Sequence, residues 1–235
     1  MPSPRPPDTV LDADASPHPA LVPAARRSLG SARDAAAGCT ACDLWARATQ
    51  TVFGEGPARA PLFLLGEQPG DREDIEGHPF VGPAGELLGR ALDDAGIRRE
   101  DAFVSNVVKH FKWKPQGKRR LHDRPNASEI RACRPWLDLE LDLVRPEVLV
   151  LLGATAANAV LGPGFRLTQQ GGTLLEPEGA GPLRIATFHP SAVLRARDAE
   201  ARRTTYEALV ADLGVARQRL MVDGSGARQA RGASA

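Results

Sequence analysis

Four short apolar runs punctuate the chain, Leu62 to Leu65, Ala102 to Val108, Glu147 to Gly153 and Leu183 to Phe188, each stopping abruptly at glycine or a polar residue. Apolar runs of this length without polar alternation mark strands buried on both faces of a parallel sheet. Helical patterning fills the intervals: Gly85 to Ala95 closed by Gly96, Ser128 as an N-cap leading to about Val144, Ala154 to Leu161, and Ala199 to Leu213. An Ala/Arg stretch from Ala24 to Ala37, closed by Gly38, reads as an earlier helix, and Gln169 to Pro177 as a weaker hairpin-like region. Strands and helices alternate. The expected fold class is α/β, a three-layer fold with a central, mainly parallel four-stranded sheet flanked by helices. One domain is expected over residues 24–221. Met1 to Pro23, rich in Pro, Ala, Ser and Asp, and the Gly/Ala/Arg tail at 222–235 are expected to be disordered.

Open α/β sheets hold ligands outside the carboxyl ends of their strands. Here those ends are Gly66, Asn106, Gly153 and His189. After the first strand, Gly66-Glu67-Gln68-Pro69-Gly70-Asp71 must turn sharply, because two glycines and a proline forbid continuation. Glu67, Gln68 and Asp71 therefore project from the strand end. Asn106 supplies a carboxamide that can pair with the imide edge of a base through one donor and one acceptor. His189-Pro190-Ser191 leaves the fourth strand at the same edge, where a histidine can donate to a developing anion. Each is more often structural when alone. Converging on one edge, they make a site.

Bulk charge is nearly balanced, 30 Lys+Arg against 29 Asp+Glu in 235 residues, so it names no partner. Its distribution does: Lys109 to Arg124 carries seven Lys/Arg and one acid, interleaved with Phe111 and Trp113. That density suits a nucleic-acid backbone and unstacked bases, with a solvated surface loop as the plainer alternative. No apolar run reaches membrane-spanning length and no signal-peptide layout opens the chain, so a cytoplasmic protein is expected. Cys39 and Cys42 form a Cys-x-x-Cys pair, Cys133 is the third and last cysteine, and His110 is the best candidate for a fourth ligand. Three Cys and one His suit zinc as well as an iron–sulfur cluster.

From about Cys39 to Leu213 these residues together resemble the iron–sulfur branch of the uracil-DNA glycosylase superfamily. Within it, Gly66-Glu67-Gln68-Pro69-Gly70-Asp71 and Lys118-Arg119-Arg120-Leu121-His122 look like the UdgX group, whose loop reads Lys-Arg-Arg-Ile-His. Family 4 enzymes have Ala at the position of Gln68, Cys at that of His110, and no basic insert. The resemblance implies a 4Fe–4S cluster on Cys39, Cys42, His110 and Cys133. It implies a uracil pocket in which Gly66 and Gln68 line the site, Phe80 stacks on the base, Asn106 reads its edge and His189 lies near a uracil carbonyl, with Asp71 and Glu67 among the catalytic groups. It implies DNA contacts from Lys118, Arg119, Arg120 and Ser191. The activity implied is excision of uracil, preferably from single-stranded DNA, followed by covalent capture of the deoxyribose C1′ by His122; the alternative is a turning-over family 4-like enzyme. A monomer is expected.

Overall fold

The structure is a computed structural model that describes residues 18–177 and 179–232, with side chains followed as far as Val222. Most of the expected N-terminal lead-in, residues 1–17, and the last three residues of the tail lie outside the described residues. The packed body begins earlier than Ala24. A 3-10 turn at Pro19–Leu21 buries Ala20 completely, and the His18 ring meets Trp136 edge-on at 5.2 Å. The Ala/Arg segment divides at Ser28, whose hydroxyl accepts the Ser31 N–H and starts α1 (Leu29–Ala37).

β1 (Leu62–Gly66) is buried at every residue, as an uninterrupted apolar run requires. The chain then enters α2 (Asp71–Glu76), a short helix inside the glycine-rich region, and α3 (Pro83–Asp94), where proline at the first position follows Gly82. β2 (Ala102–Asn106) ends at the expected asparagine. The basic segment, which carries no periodicity in the sequence, folds as a hairpin of β3 (Trp113–Gln116) and β4 (Arg119–His122). α4 (Ala127–Val144) is capped by Asn126 rather than Ser128: Asn126 accepts the Glu129 N–H while Glu129 reaches back to the Asn126 N–H. Ser128 lies inside the first turn and donates to Asn126 Oδ1 at 2.6 Å.

β5 (Val148–Leu152), α5 (Ala154–Leu161), the single turn α6 (Leu167–Gln170), β6 (Leu174–Leu175), β7 (Leu183–Thr187), α7 (Pro190–Leu194) and α8 (Ala199–Gly232) complete the chain. α8 runs past its expected end at Leu213. The sheet order is β2-β1-β5-β7-β6, with the first four strands parallel and β6 antiparallel at one edge. Five strands replace the expected four because β6, at two residues, is too short to leave a periodic pattern.

Alternate residues of each strand face opposite layers. Phe63, Leu65, Phe103 and Leu151 pack with Ala36 of α1, Trp136 and Leu137 of α4, and Ala157 of α5. Leu62, Leu64, Val104 and Val150 pack with Leu88 and Ala91 of α3 and Leu209 and Leu213 of α8. These two apolar layers fix the parallel strands in register, Gly66 beside Asn106, and so fix what projects from their carboxyl ends. No described helix is long and apolar enough to cross a membrane.

Candidate active site

A cleft of about 1090 Å³ opens at that edge. It brings together Glu67, Gln68, Asp71, Phe80, Asn106, His122, His189 and Ser191, drawn from the ends of β1, β2 and β7, the α2–α3 loop and the hairpin. Backbone economy makes this approach possible. A Cβ on Gly66 would overlap Asn106 Oδ1 and lie 2.7 Å from Phe80 Cζ, so only glycine lets the Asn106 amide and the Phe80 ring meet over the end of β1. Phe80 itself has φ 59, a left-handed conformation unfavourable for a bulky residue. The loop is held around it: buried Glu73 accepts the Gly70 N–H and the Gly82 N–H, both at 3.1 Å. The Phe80 and His189 rings stand 6.0 Å apart. The Asn106 side chain is buried, with no hydrogen bond to another protein group among the described residues.

His189 has a defined tautomer. Its Nδ1 accepts the Ser191 N–H at 3.1 Å and lies 2.8 Å from the Ser191 hydroxyl, which leaves the ring proton on Nε2. Burial, helped by Arg195 and His122, pushes its pKa down to about 4. At neutral pH the residue is an uncharged N–H donor. Ser191 is thereby engaged with His189.

His122, the last residue of β4, lies half-exposed with Nε2 3.3 Å from Glu67 Oε1. Burial lowers its pKa, Glu67 opposes that shift, and Arg195 reinforces it. The other Glu67 oxygen accepts the hydroxyl of Thr155, in the first turn of α5.

The hairpin that carries His122 is anchored by residues whose expected roles change. Gln68 lines the cleft, but its amide is fully engaged: Nε2 donates to the carbonyls of Lys112 (3.1 Å) and Asp123 (3.0 Å), and Oε1 accepts the Lys112 N–H at 3.2 Å. It braces the base of the hairpin rather than offering its amide to a ligand. Arg120 is already paired within the protein. Its guanidinium pairs with Asp71 at 2.5 Å and with fully buried Asp74 at 2.6 Å, and stacks over Phe111 and Trp113. Asp71 is accordingly an ion-pair partner of the hairpin. Three further cations of the basic segment are internally paired: Lys109 with Glu140 at 2.7 Å, Lys112 with Glu129 at 3.0 Å, and Lys114 with Asp123 at 3.1 Å. Lys118 and Arg119, at the exposed hairpin tip, have no ion-pair partner among the described residues, and Arg124 lines the cleft.

Lys109 is wholly buried under the end of β2. Its Nζ donates to Glu140 Oε2, the Ser105 hydroxyl (2.8 Å) and the Asn106 carbonyl (2.6 Å). Glu140, also fully buried, accepts the Gly54 N–H at 2.9 Å. Sequence reasoning missed this network, along with Glu73, Asp74, Thr155 and Arg195. Thr155 had a signal, since it follows the strand end at Gly153, and so did Glu73, three residues after the Gly70 whose N–H it accepts; Asp74 and Glu140 had none, because their partners are distant in sequence.

The four candidate ligands lie apart from the cleft. Cys39 and Cys133 are buried and Cys42 is partly exposed. Burial pushes the Cys133 thiol up to about 12, and Cys39 and Cys42 are near enough to push the same way. Each buried sulfur already faces an N–H donor, Trp136 Nε1 on Cys39 at 3.1 Å and the Lys109 amide on Cys133 at 3.2 Å. Such donors are what metal-bound thiolates require around them. Thr51 donates its hydroxyl to the Ala36 carbonyl, so it accepts from His110 Nε2, 2.9 Å away, and the lone pair of His110 falls on Nδ1. Among the described residues no three His, Cys, Asp or Glu side chains converge tightly enough for a single metal ion.

The sequence model of the uracil DNA glycosylase superfamily matches residues 53–214, which include the whole cleft. A type-4 uracil-DNA glycosylase of Thermotoga maritima is 41% identical over 170 residues, 72% of this chain and 84% of that protein. Enzymes of the same name from Pyrobaculum aerophilum and Archaeoglobus fulgidus are each 36% identical, over 165 and 162 residues; the alignments cover 67% and 66% of this chain and 80% and 78% of theirs. These relatives carry the type-4 name, which does not separate the narrower UdgX resemblance from family 4. The chain belongs to the uracil-DNA glycosylase superfamily.

Proposed function

We propose that the protein cleaves the N-glycosidic bond of deoxyuridine in DNA. The observation that carries this is the neutral, Nε2-protonated His189 lining the same cleft as Phe80 and Asn106. A deoxyuridine must leave the base stack to enter, which is least costly in single-stranded DNA. Phe80 offers a face for the ring and Asn106 an amide for its polar edge. As the C1′–N1 bond breaks, its electron pair moves onto the uracil, and the His189 N–H stabilises the charge collecting on a carbonyl oxygen. On this reading Lys118 and Arg119, exposed at the hairpin tip, hold phosphates. A 4Fe–4S cluster on Cys39, Cys42, Cys133 and His110 fits the donors around those sulfurs and would tie the N-terminal segment to the root of the hairpin and to α4.

Two fates of C1′ follow. In the first, which the type-4 relatives favour, water adds at C1′, loses a proton, and the product leaves. In the second, which the Glu67–His122 pair favours, His122 takes the place of that water. One ring nitrogen donates to Glu67 while the lone pair of the other attacks C1′, and the displaced ring proton passes to Glu67. On this route the resulting C1′–N bond persists. A labelled uracil-containing single strand, run on a denaturing gel with and without hot alkali, separates the outcomes. A retarded, uracil-dependent band means capture, and breakage only after alkali means release. Neither product from the folded protein would refute the proposal.

A further inference from the structure

The two oxygens of Glu67 have different neighbours. Oε1 faces His122, and Oε2 accepts the hydroxyl of Thr155. The main chain of Glu67 is held just past the strand ends, where its carbonyl accepts the Val108 N–H at 3.0 Å. Its side chain still has three rotatable bonds, and strand pairing does not determine the plane of the carboxylate. Thr155 does. A carboxylate only accepts, so the threonine hydroxyl must donate, and that donation selects the rotamer in which Oε1 is turned to the imidazole. Thr155 is held in turn by α5, which starts at the end of β5 with Gly153 in a left-handed conformation (φ 89) and packs Ala156 and Ala157 against the sheet. The hydroxyl thus reaches Glu67 from the start of a helix, an element separate from the hairpin that carries His122.

We propose that Thr155 is the positioning residue for Glu67, and through it for His122, so that the cleft holds a Thr155–Glu67–His122 relay. The inference rests on reading Glu67 as the partner of His122 and goes beyond it in naming what orients Glu67. It applies to either fate of C1′, because the carboxylate that orients the imidazole for attack is also the group that would accept the proton of a water taking its place.

The test is single-turnover kinetics on a uracil-containing single strand, measured against protein concentration so that the maximal rate and the half-saturation point are read separately. Thr155→Val keeps the shape of the side chain and removes the hydroxyl. It is expected to lower the maximal rate on the order of tenfold, at unchanged half-saturation, as for a lost hydrogen bond to a charged group. Thr155→Ser restores the hydroxyl and is expected to recover most of that rate. In a Glu67→Gln background Thr155→Val should add no further loss. Wild-type kinetics for Thr155→Val, or a Thr155→Ser protein as slow as Thr155→Val, would overturn the assignment while Glu67→Gln remains slow. A Glu67→Gln protein that reacts at the wild-type rate would instead remove the Glu67–His122 reading, and the relay with it.

Discussion

Lys109→Met should be among the most damaging single changes in the chain, although nothing in the basic segment's sequence marks Lys109 as different from its neighbours. The side chain has no solvent exposure, and its Nζ makes three hydrogen bonds, one to a Glu140 that is equally buried. Removing one partner of a buried ion pair leaves an uncompensated charge and costs about 3–5 kcal/mol. Glu140 would keep the Ser105 hydroxyl and the Gly54 N–H, so the lower end applies, about 3 kcal/mol, or a fall of about 10 °C in Tm. Urea denaturation followed by circular dichroism measures it. The double variant Lys109→Met/Glu140→Gln replaces the stranded carboxylate with a neutral amide and should lose clearly less than the sum of the two single changes. A cost for Lys109→Met below about 1 kcal/mol, or simple additivity, would refute the description of this pair as a desolvated, mutually dependent network. The folded fraction of Lys109→Met should also excise more slowly, because Nζ holds the carbonyl of Asn106.

Gly66→Ala forces Asn106 and Phe80 off one another and should slow uracil release by about 100-fold in a protein that still folds; an active variant would show that the cleft tolerates their separation. If His122 captures C1′ as a neutral nucleophile, capture should persist as pH falls to the ordinary histidine value and fail only below it, because burial lowers the His122 pKa. His189 stays neutral to about pH 4, so excision by a His122→Ala protein should survive the same titration; parallel loss of both would contradict these separate roles. Replacing Lys118 and Arg119 together by alanine should reduce the salt dependence of single-strand binding by about 1.4 in slope, at 0.7 per phosphate contact. An unchanged slope would mean that the hairpin tip does not meet the backbone.

The sheet was legible because both of its faces are covered. Burial on two sides turns Leu62 to Leu65 or Glu147 to Gly153 into unbroken apolar runs, and their ends locate the cleft. Gly66, Glu67, Asn106 and His189 stand where that pattern puts them. What stayed hidden depends on partners that no local pattern reveals. Arg120 and Lys109 look like any surface cation until Asp74 and Glu140 are placed opposite them. Gln68 looked like a ligand contact, and only the path of the hairpin shows its amide engaged by Lys112 and Asp123. β6 is too short to carry a period, and α4 starts at Asn126 because two residues there could cap and only one has Glu129 three positions on. Ala20 belongs to the core although its surroundings have the composition of a disordered lead-in, since burial of one small residue leaves no trace in composition.

Free uracil released per protein molecule, measured with excess uracil-containing single strand and with a matched strand carrying thymine, is the most direct measurement. Release that requires uracil is expected, stopping near one equivalent if His122 captures C1′ and continuing beyond it if water does. No uracil released by the folded protein would contradict the assignment of this cleft to glycosidic cleavage.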